Sequence, residues 1–170
     1  MAKHRIVLVG AGQVSSELAP AWQQDGHELL HVISRTESSA RPLGELLRVP
    51  WSTNLSEAAG ALADAQVVVV AVTDAIISEV AEAISGMVAA DCTLVHLSGA
   101  TSLDQLRAPA AVVWPVRSFN AKAHSVPLAQ TPTVLEATSA AAMRVAHDLA
   151  GASSVSYTHH RAHETDADLV

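Results

Sequence analysis

The sequence predicts an α/β fold, a doubly wound and mostly parallel Rossmann-like sheet with helices on both faces. Three observations carry that reading. A short apolar run, Ile6 to Val9, breaks at Gly10 and Gly12 and passes straight into a segment with helical spacing. Strand-like and helix-like segments then alternate along the chain, as they must when parallel strands are joined by crossover helices. The composition is 49% hydrophobic but only 3% aromatic, the aliphatic balance of a sheet buried beneath helices.

The elements follow in order. After the first strand, Val14, Leu18, Ala21 and Trp22 share one helical face between Val14 and Gln24. Pro20 should kink or shorten that helix, and Asp25-Gly26 should stop it. His27 to Ile33 reads as the second strand. Glu37 to Arg48 reads as a polar connection with Pro42, with a weak helical stretch around Leu43 to Leu47. Trp51 marks a short third strand, and Ser56-Glu57 can cap a brief helix to Ala63. Ala65 to Val72 is almost continuously apolar, hence a central strand covered on both faces. Ile76, Val80, Ile84 and Met87 then form one face of a helix over Ala75 to Met87. Asp91 to Ser98 is a further strand, and Ser102 caps a short helix carrying Leu103 and Leu106. Ala111 to Phe119 and Pro132 to Glu136 are strand-like, and Ser139 to Ala150 is helical.

In such a sheet, ligands bind at the C-terminal ends of the strands. The first of those ends carries Gly10-Ala11-Gly12-Gln13-Val14. Gly10 permits a tight turn, and Gly12 lets backbone N–H groups approach a dinucleotide pyrophosphate at the helix N-terminus. The third small position of the fingerprint is Ser15. The second strand ends in Ser34-Arg35-Thr36, with no carboxylate until Glu37. An acid there would accept the ribose 2′-hydroxyl of NAD; a guanidinium between two hydroxyls suits the 2′-phosphate of NADP. NADP is therefore the expected cofactor, with NAD the second choice. Val72 and Thr73 lie where the ribose or nicotinamide side would pass, and Asp74 reads best as a helix cap. His96 is a candidate proton donor to a substrate carbonyl, against the competing reading of a core histidine satisfied by backbone. Ser98 and Gly99, at the next loop entrance, are candidates for contact with cofactor or substrate.

Charge and composition narrow the class. A formal charge of -7 argues against nucleic acid and anionic membrane surfaces as partners. The single cysteine, Cys92, excludes an internal disulfide and fits a reducing compartment. With no secretory pattern and no apolar run near bilayer length, the expected location is the cytoplasm.

Four elements occur in an order that resembles a known family. They are Gly-Ala-Gly-Gln-Val at residue 10, Val-Val-Ala-Val-Thr-Asp-Ala-Ile-Ile ending at residue 77, Val-His-Leu-Ser-Gly-Ala ending at residue 100, and Val-Val-Trp-Pro-Val-Arg-Ser-Phe ending at residue 119. Together they resemble the Rossmann-like domain of the DUF2520-containing oxidoreductase-like family. That family is similar to pyrroline-5-carboxylate reductases, coenzyme F420-dependent NADP reductases and the 6-phosphogluconate dehydrogenase group. The resemblance implies that Gly10, Gly12, Gln13 and Val14 bind pyrophosphate, that Ser34 and Arg35 hold the 2′-phosphate, and that Thr73 lines the nicotinamide side. Arg117 stands where the family usually has Gln. The resemblance further implies an NADP-dependent reductase or dehydrogenase of a small carbonyl or imine substrate. The alternative is a non-catalytic dinucleotide-binding or sensing module.

Relatives of that family continue into a helical domain that builds a homodimer and closes over the nicotinamide. Residues 1–152 are thus expected to form the NAD(P)-binding domain. Residues 153–170 are expected to be an irregular tail foreign to the fold, with the helical domain missing and this portion inactive by itself. The tail's His159, His160 and His163 read as solvated side chains, and no metal site is expected.

Overall fold

The computed structural model describes residues 1–107, 109–119, 131–151 and 156–159. The chain alternates as expected: β1 (Arg5–Val9), α1 (Gln13–Gln24), β2 (Glu28–Ile33), α2 (Glu37–Leu47), β3 (Trp51–Ser52), α3 (Ala59–Asp64), β4 (Val67–Val70), α4 (Ile77–Ile84), β5 (Thr93–His96), β6 (Ala110–Pro115), β7 (Thr133–Ala137), α5 (Ala140–Ala150) and β8 (Ser156–His159). Three short 3₁₀ turns, Ser56–Ala58, Asp74–Ile76 and Leu103–Gln105, lead into or stand in for crossover helices. The sheet order is β3-β2-β1-β4-β5-β6-β7-β8. Neighbours run parallel except at β6 and β7, which pair antiparallel. Because the chain leaves β3 at one edge and re-enters beside β1, a crevice opens between the ends of β1 and β4.

Strand alternation sorts the core into two layers. Ile6, Leu8, Val67, Val69, Val95 and Val113 pack against Trp22, Leu43, Leu47, Met143 and Leu149 of α1, α2 and α5. Val7, Val9, Val68, Val70, Leu94 and Val112 face Leu62, Ile77 and Ile84 on the other side. All four valines of β4 are fully buried, which is the central, twice-covered strand that its composition predicts.

Both internal prolines sit inside intact helices, contrary to the sequence expectation. Helix α1 runs through Pro20, and α2 is continuous from Glu37 through Pro42 to Leu47. A mid-helix proline costs roughly 3 kcal/mol. Burying Leu18 and Trp22 in α1, or Leu43 and Leu47 in α2, returns about 1.5–3 kcal/mol per large side chain. Burial wins. In α2 the buried positions Ala40, Leu43, Gly44 and Leu47 have ideal helical spacing, and Gly44 is small because the Trp51 ring lies 2.7 Å from where a Cβ would stand. Strands β4 and β5 are shorter than expected at both ends; at the C-terminal ends the residues that follow, Ala71 to Thr73 and Leu97 to Gly99, make the turns that border the site. The cap at Ser102 forms as expected, accepting from the Asp104 N–H, and Ser139 caps α5 in the same way by accepting from the Ala142 N–H.

The tail also differs from its expected irregularity at one place. Ser156–His159 extends as β8 and pairs with β7, Tyr157 opposite Val134, so β7 gains a neighbour on its outer side. Residues 152–155 and 160–170, with His160 and His163, lie outside the described residues.

The end of α5 is tied to α1 and to the N-terminal end of the sheet by polar contacts that are buried or partly buried. Trp22 Nε1 donates to the Leu149 carbonyl at 2.8 Å, and His4 Nε2 lies 2.9 Å from Asp148 Oδ2. His27 accepts the His4 N–H on Nδ1 at 3.1 Å, so its proton sits on Nε2, 3.3 Å from the Asp148 carbonyl. Burial pushes the pKa of His27 down, and does the same at His31, which meets Ser52 Oγ at 3.0 Å. His96 is shifted in the same direction. A depressed folded-state pKa means that the unfolded chain takes protons the native state refuses. Stability is therefore expected to be complete above pH 6.5 and to decline as the pH falls below it. Thermal melts between pH 7.5 and 5.5 check this; a midpoint that holds or rises on acidification would contradict it.

Candidate functional site

The turn after β1 is built by two glycines with different jobs. Gly10 has φ +109°, and a Cβ there would lie 2.1 Å from the Ala71 carbonyl oxygen. Its N–H donates to Ile33 O, and Ala71 N–H donates to Val9 O, both at 2.7 Å, so the ends of β1, β2 and β4 close tightly around it. Gly12 is the N-cap of α1 with φ -86° and ψ -171°, ordinary extended backbone, and a Cβ there would meet nothing within 4 Å. Its smallness is required by no atom of the described residues.

Helix α1 begins with no side-chain cap and no acid in its first turn, so its N–H groups and positive dipole end face the same opening. Ser15, the third fingerprint position, is fully buried, and its Oγ donates to the Gly10 carbonyl at 2.8 Å. The hydroxyl holds the turn against the helix where a third glycine would serve by close packing alone. A dinucleotide pyrophosphate fits this cradle: the open space at Gly12 admits phosphate oxygens and α1 offers unspent donors.

At the end of β2, Ser34 is half-buried while Arg35 and Thr36 are exposed. Thr36 is the N-cap of α2, again without a side-chain cap, and its Oγ1 donates to Ser39 Oγ at 2.9 Å. Glu37 faces Arg41 one turn along at 3.3 Å. After β4, Val72 is half-buried and Thr73 exposed; Thr73 occupies the N-cap position that the sequence suggests for Asp74, and Asp74 begins the 3₁₀ turn. The structure thus gathers Gly10 to Val14, Ser34 to Thr36, Val72, Thr73, Ser98 and Gly99 on one edge, at the C-terminal ends of the adjacent strands β2, β1, β4 and β5.

His96 stands apart from that edge. It is fully buried at the end of β5 and does not line the neighbouring cleft. Its Nδ1 accepts the Ser98 N–H at 3.2 Å, which places the proton on Nε2, a buried atom with no hydrogen-bond partner among the described residues. Burial lowers its pKa, an effect opposed by the nearby Asp74 carboxylate. Through its bond with the Ser98 N–H, the imidazole steers the Ser98-Gly99 turn.

A cleft of about 480 Å³ opens beside this turn, lined by Val14, Asp74, Leu97, Ser98, Gly99, Ala100, Trp114, Pro115, Arg117 and Phe119. Gly99 is glycine because the Trp114 indole occupies the space of a Cβ, 2.2 Å away. Arg117 pairs with Glu17 of α1, and its guanidinium lies 4.5 Å above the Phe119 ring centroid. The sequence reading assigned no role to Trp114 or Glu17 and left that of Arg117 open. The usable signal was aromatic scarcity: the chain has three Trp, one Tyr and one Phe, and two of these line one cleft. Among the described residues no cluster of three or more His, Cys, Asp or Glu could hold a metal, and no helix is long and apolar enough to cross a membrane.

The strand order, the glycine turn and the crevice at its switch point define a Rossmann-like domain of the oxidoreductase type. Residues 5–95, more than half of the chain, match the family described as NADP oxidoreductase, coenzyme F420-dependent, and the chain belongs to that family. No functionally curated protein matches it. Among solved structures, a designated NADP oxidoreductase from Bacteroides fragilis superposes with a TM-score of 0.79 at 25% identity, covering 93% of this chain and 61% of that one. Synechocystis arogenate dehydrogenase (TM-score 0.73, 19% identity, 92% of this chain and 59% of that one) shares the fold. So does pyrroline-5-carboxylate reductase from Coxiella burnetii (TM-score 0.70, 15% identity, 92% and 59%). The chain spans about three-fifths of the length of these structures.

Proposed function

We propose that this chain is the NADP-binding domain of a reductase or dehydrogenase acting on a small carbonyl or imine compound. The observation that carries the reading is the open, uncapped start of α1 at Gly12, which no described residue fills. Backbone N–H groups from Gly12 to Val14 would take the pyrophosphate, and Ser34, Arg35 and Thr36 the 2′-phosphate. Val72, Thr73, Ser98 and Gly99 would border the nicotinamide. Arg35 supports NADP over NAD because the nearest acid in sequence, Glu37, is drawn along α2 towards Arg41 and leaves the turn. A bound nicotinamide would give or take the hydride, and the chain's own residues would position it. On this reading the complete protein is a cytoplasmic homodimer whose helical part closes the substrate site. A dinucleotide-binding module without chemistry is the second reading, favoured by the burial of His96 behind the cleft wall.

Arg35→Asp tests the cofactor assignment. Losing a charge-assisted contact and adding a like charge is expected to weaken NADPH about 10- to 100-fold and to change NADH by less than about threefold. Calorimetric titration of both nucleotides measures it. Equal changes for the two would mean that Arg35 is only a surface charge.

A further inference from the structure

We propose that the cleft beside the Ser98-Gly99 turn seats a flat organic cation between the Asp74 carboxylate and the Trp114 indole. The inference rests on the reductase reading above and deepens it: of the two substrate classes named there, the cleft selects the protonated imine over the carbonyl.

The seat is built on one side of the sheet. Trp114 shares the parity of Ala110 and Val112 on β6 and packs with them on the α4 side. Asp74 opens the 3₁₀ turn that leads into α4, so it reaches the same side from across β5. Its carboxylate is exposed and makes no ion pair or side-chain hydrogen bond among the described residues. Its charge still reaches His96 at the end of β5, where it opposes the fall that burial imposes on that pKa. The indole is held in place before any ligand arrives. Its fused-ring atoms stand 2.2 to 2.5 Å from where a Cβ of Gly99 would be, so ring and turn press together.

The sign of the cleft follows from which of its charges are already paired. Arg117 is the one cation that lines it among the described residues, and it is joined to Glu17 and lies over the Phe119 ring. That pair adds little net field. Asp74 is left as the uncompensated charge in the lining. A cation is attracted by that carboxylate and by the π electrons of tryptophan, the best of the aromatic partners. An anion gains neither contact and meets the Asp74 charge as a repulsion.

A cationic substrate also fits the position of His96. Reduction of a carbonyl puts a proton on oxygen as well as a hydride on carbon, and so calls for a donor at the cleft. His96 is buried and does not line it. A protonated imine brings its own proton. Its carbon accepts the hydride, the C=N π pair becomes the lone pair on nitrogen, and a neutral amine results. The hydrogen and its electron pair come from the dihydronicotinamide of the reading above, which is left oxidised and cationic.

Benzamidine, benzamide and benzoate share one flat shape and differ in being a cation, a neutral molecule and an anion. Each is titrated into the ¹⁵N-labelled chain and followed at the Trp114 indole signal, identified by its loss in Trp114→Phe. Saturable millimolar binding of benzamidine is expected, with benzamide weaker by about fivefold or more and benzoate weaker still. Asp74→Asn should bring benzamidine and benzamide to within about twofold of each other. Equal binding of the three by the wild type, a preference for benzoate, or no binding of any overturns the proposal even if Asp74→Asn fails to fold. A cation preference that persists in a folded Asp74→Asn overturns it as well. A parallel NADPH titration of the wild type keeps the two claims separate. NADPH binding with no cation preference overturns only the seat, whereas absence of NADPH binding overturns the cofactor reading.

Discussion

Gly12→Val is expected to leave the chain folded and to lower its affinity for NADPH by about 100-fold or more. The backbone at residue 12 has φ -86° and ψ -171°, which a β-branched residue adopts freely, and a Cβ there touches nothing within 4 Å. Valine is a poorer N-cap than glycine, so stability should fall by about 1 kcal/mol, a loss the fold survives because the side chain meets no neighbour. The valine methyls would stand in the space through which phosphate oxygens reach the first N–H groups of α1. Each charge-assisted hydrogen bond so prevented is worth about 1.5–3 kcal/mol, and two of them account for the expected loss. Thermal melting and calorimetric titration of one sample separate the effects. A variant that unfolds, or that binds NADPH normally, would contradict this account of the glycine.

Gly10→Ala should do the reverse and damage the fold itself. The added Cβ would stand 2.1 Å from the carbonyl oxygen and 2.5 Å from the carbonyl carbon of Ala71, and neither atom belongs to a side chain that can swing away. Residue 10 would also have to hold φ +109°, which costs an L-amino acid of order 1–3 kcal/mol. Forcing β1 and β4 apart endangers the 2.7 Å bond from Ala71 N–H to Val9 O and the buried valines behind it. Overpacking adds typically 1–3 kcal/mol, so a total of about 3–5 kcal/mol is expected. Against the 5–15 kcal/mol that a domain usually has, this is a large fraction. The urea midpoint measures it; an unchanged midpoint would mean that the turn relaxes without cost.

Much of the architecture was legible because its signals are local. The β1–α1 junction, the strand ending at Ile33, the all-valine centre of β4 and the serine cap at Ser102 all announce themselves within a few residues. Helix α2 was harder, since Pro42 speaks against a helix locally while Ala40, Leu43, Gly44 and Leu47 speak for one only when packed on the sheet. The pairing of β8 with β7 depends on where a neighbouring edge lies, which no local pattern encodes.

The site divides in the same way. The glycine turn can be read from adjacent residues. The contact of Arg117 with Glu17 joins positions one hundred residues apart, and nothing near either residue predicts it. His96 shows the limit from the other side. Its sequence setting at a strand end invites a catalytic role, yet the parity of β5 turns it inward beneath Asp74 and the α4 side of the sheet.

The central claim is that the β1–α1 turn holds a dinucleotide. Calorimetric titration of the wild-type chain with NADPH, run beside NADH, tests it most directly. One saturable site with NADPH bound more tightly than NADH is the predicted result. No heat and no change in nicotinamide fluorescence with either nucleotide, up to millimolar concentration, would contradict it.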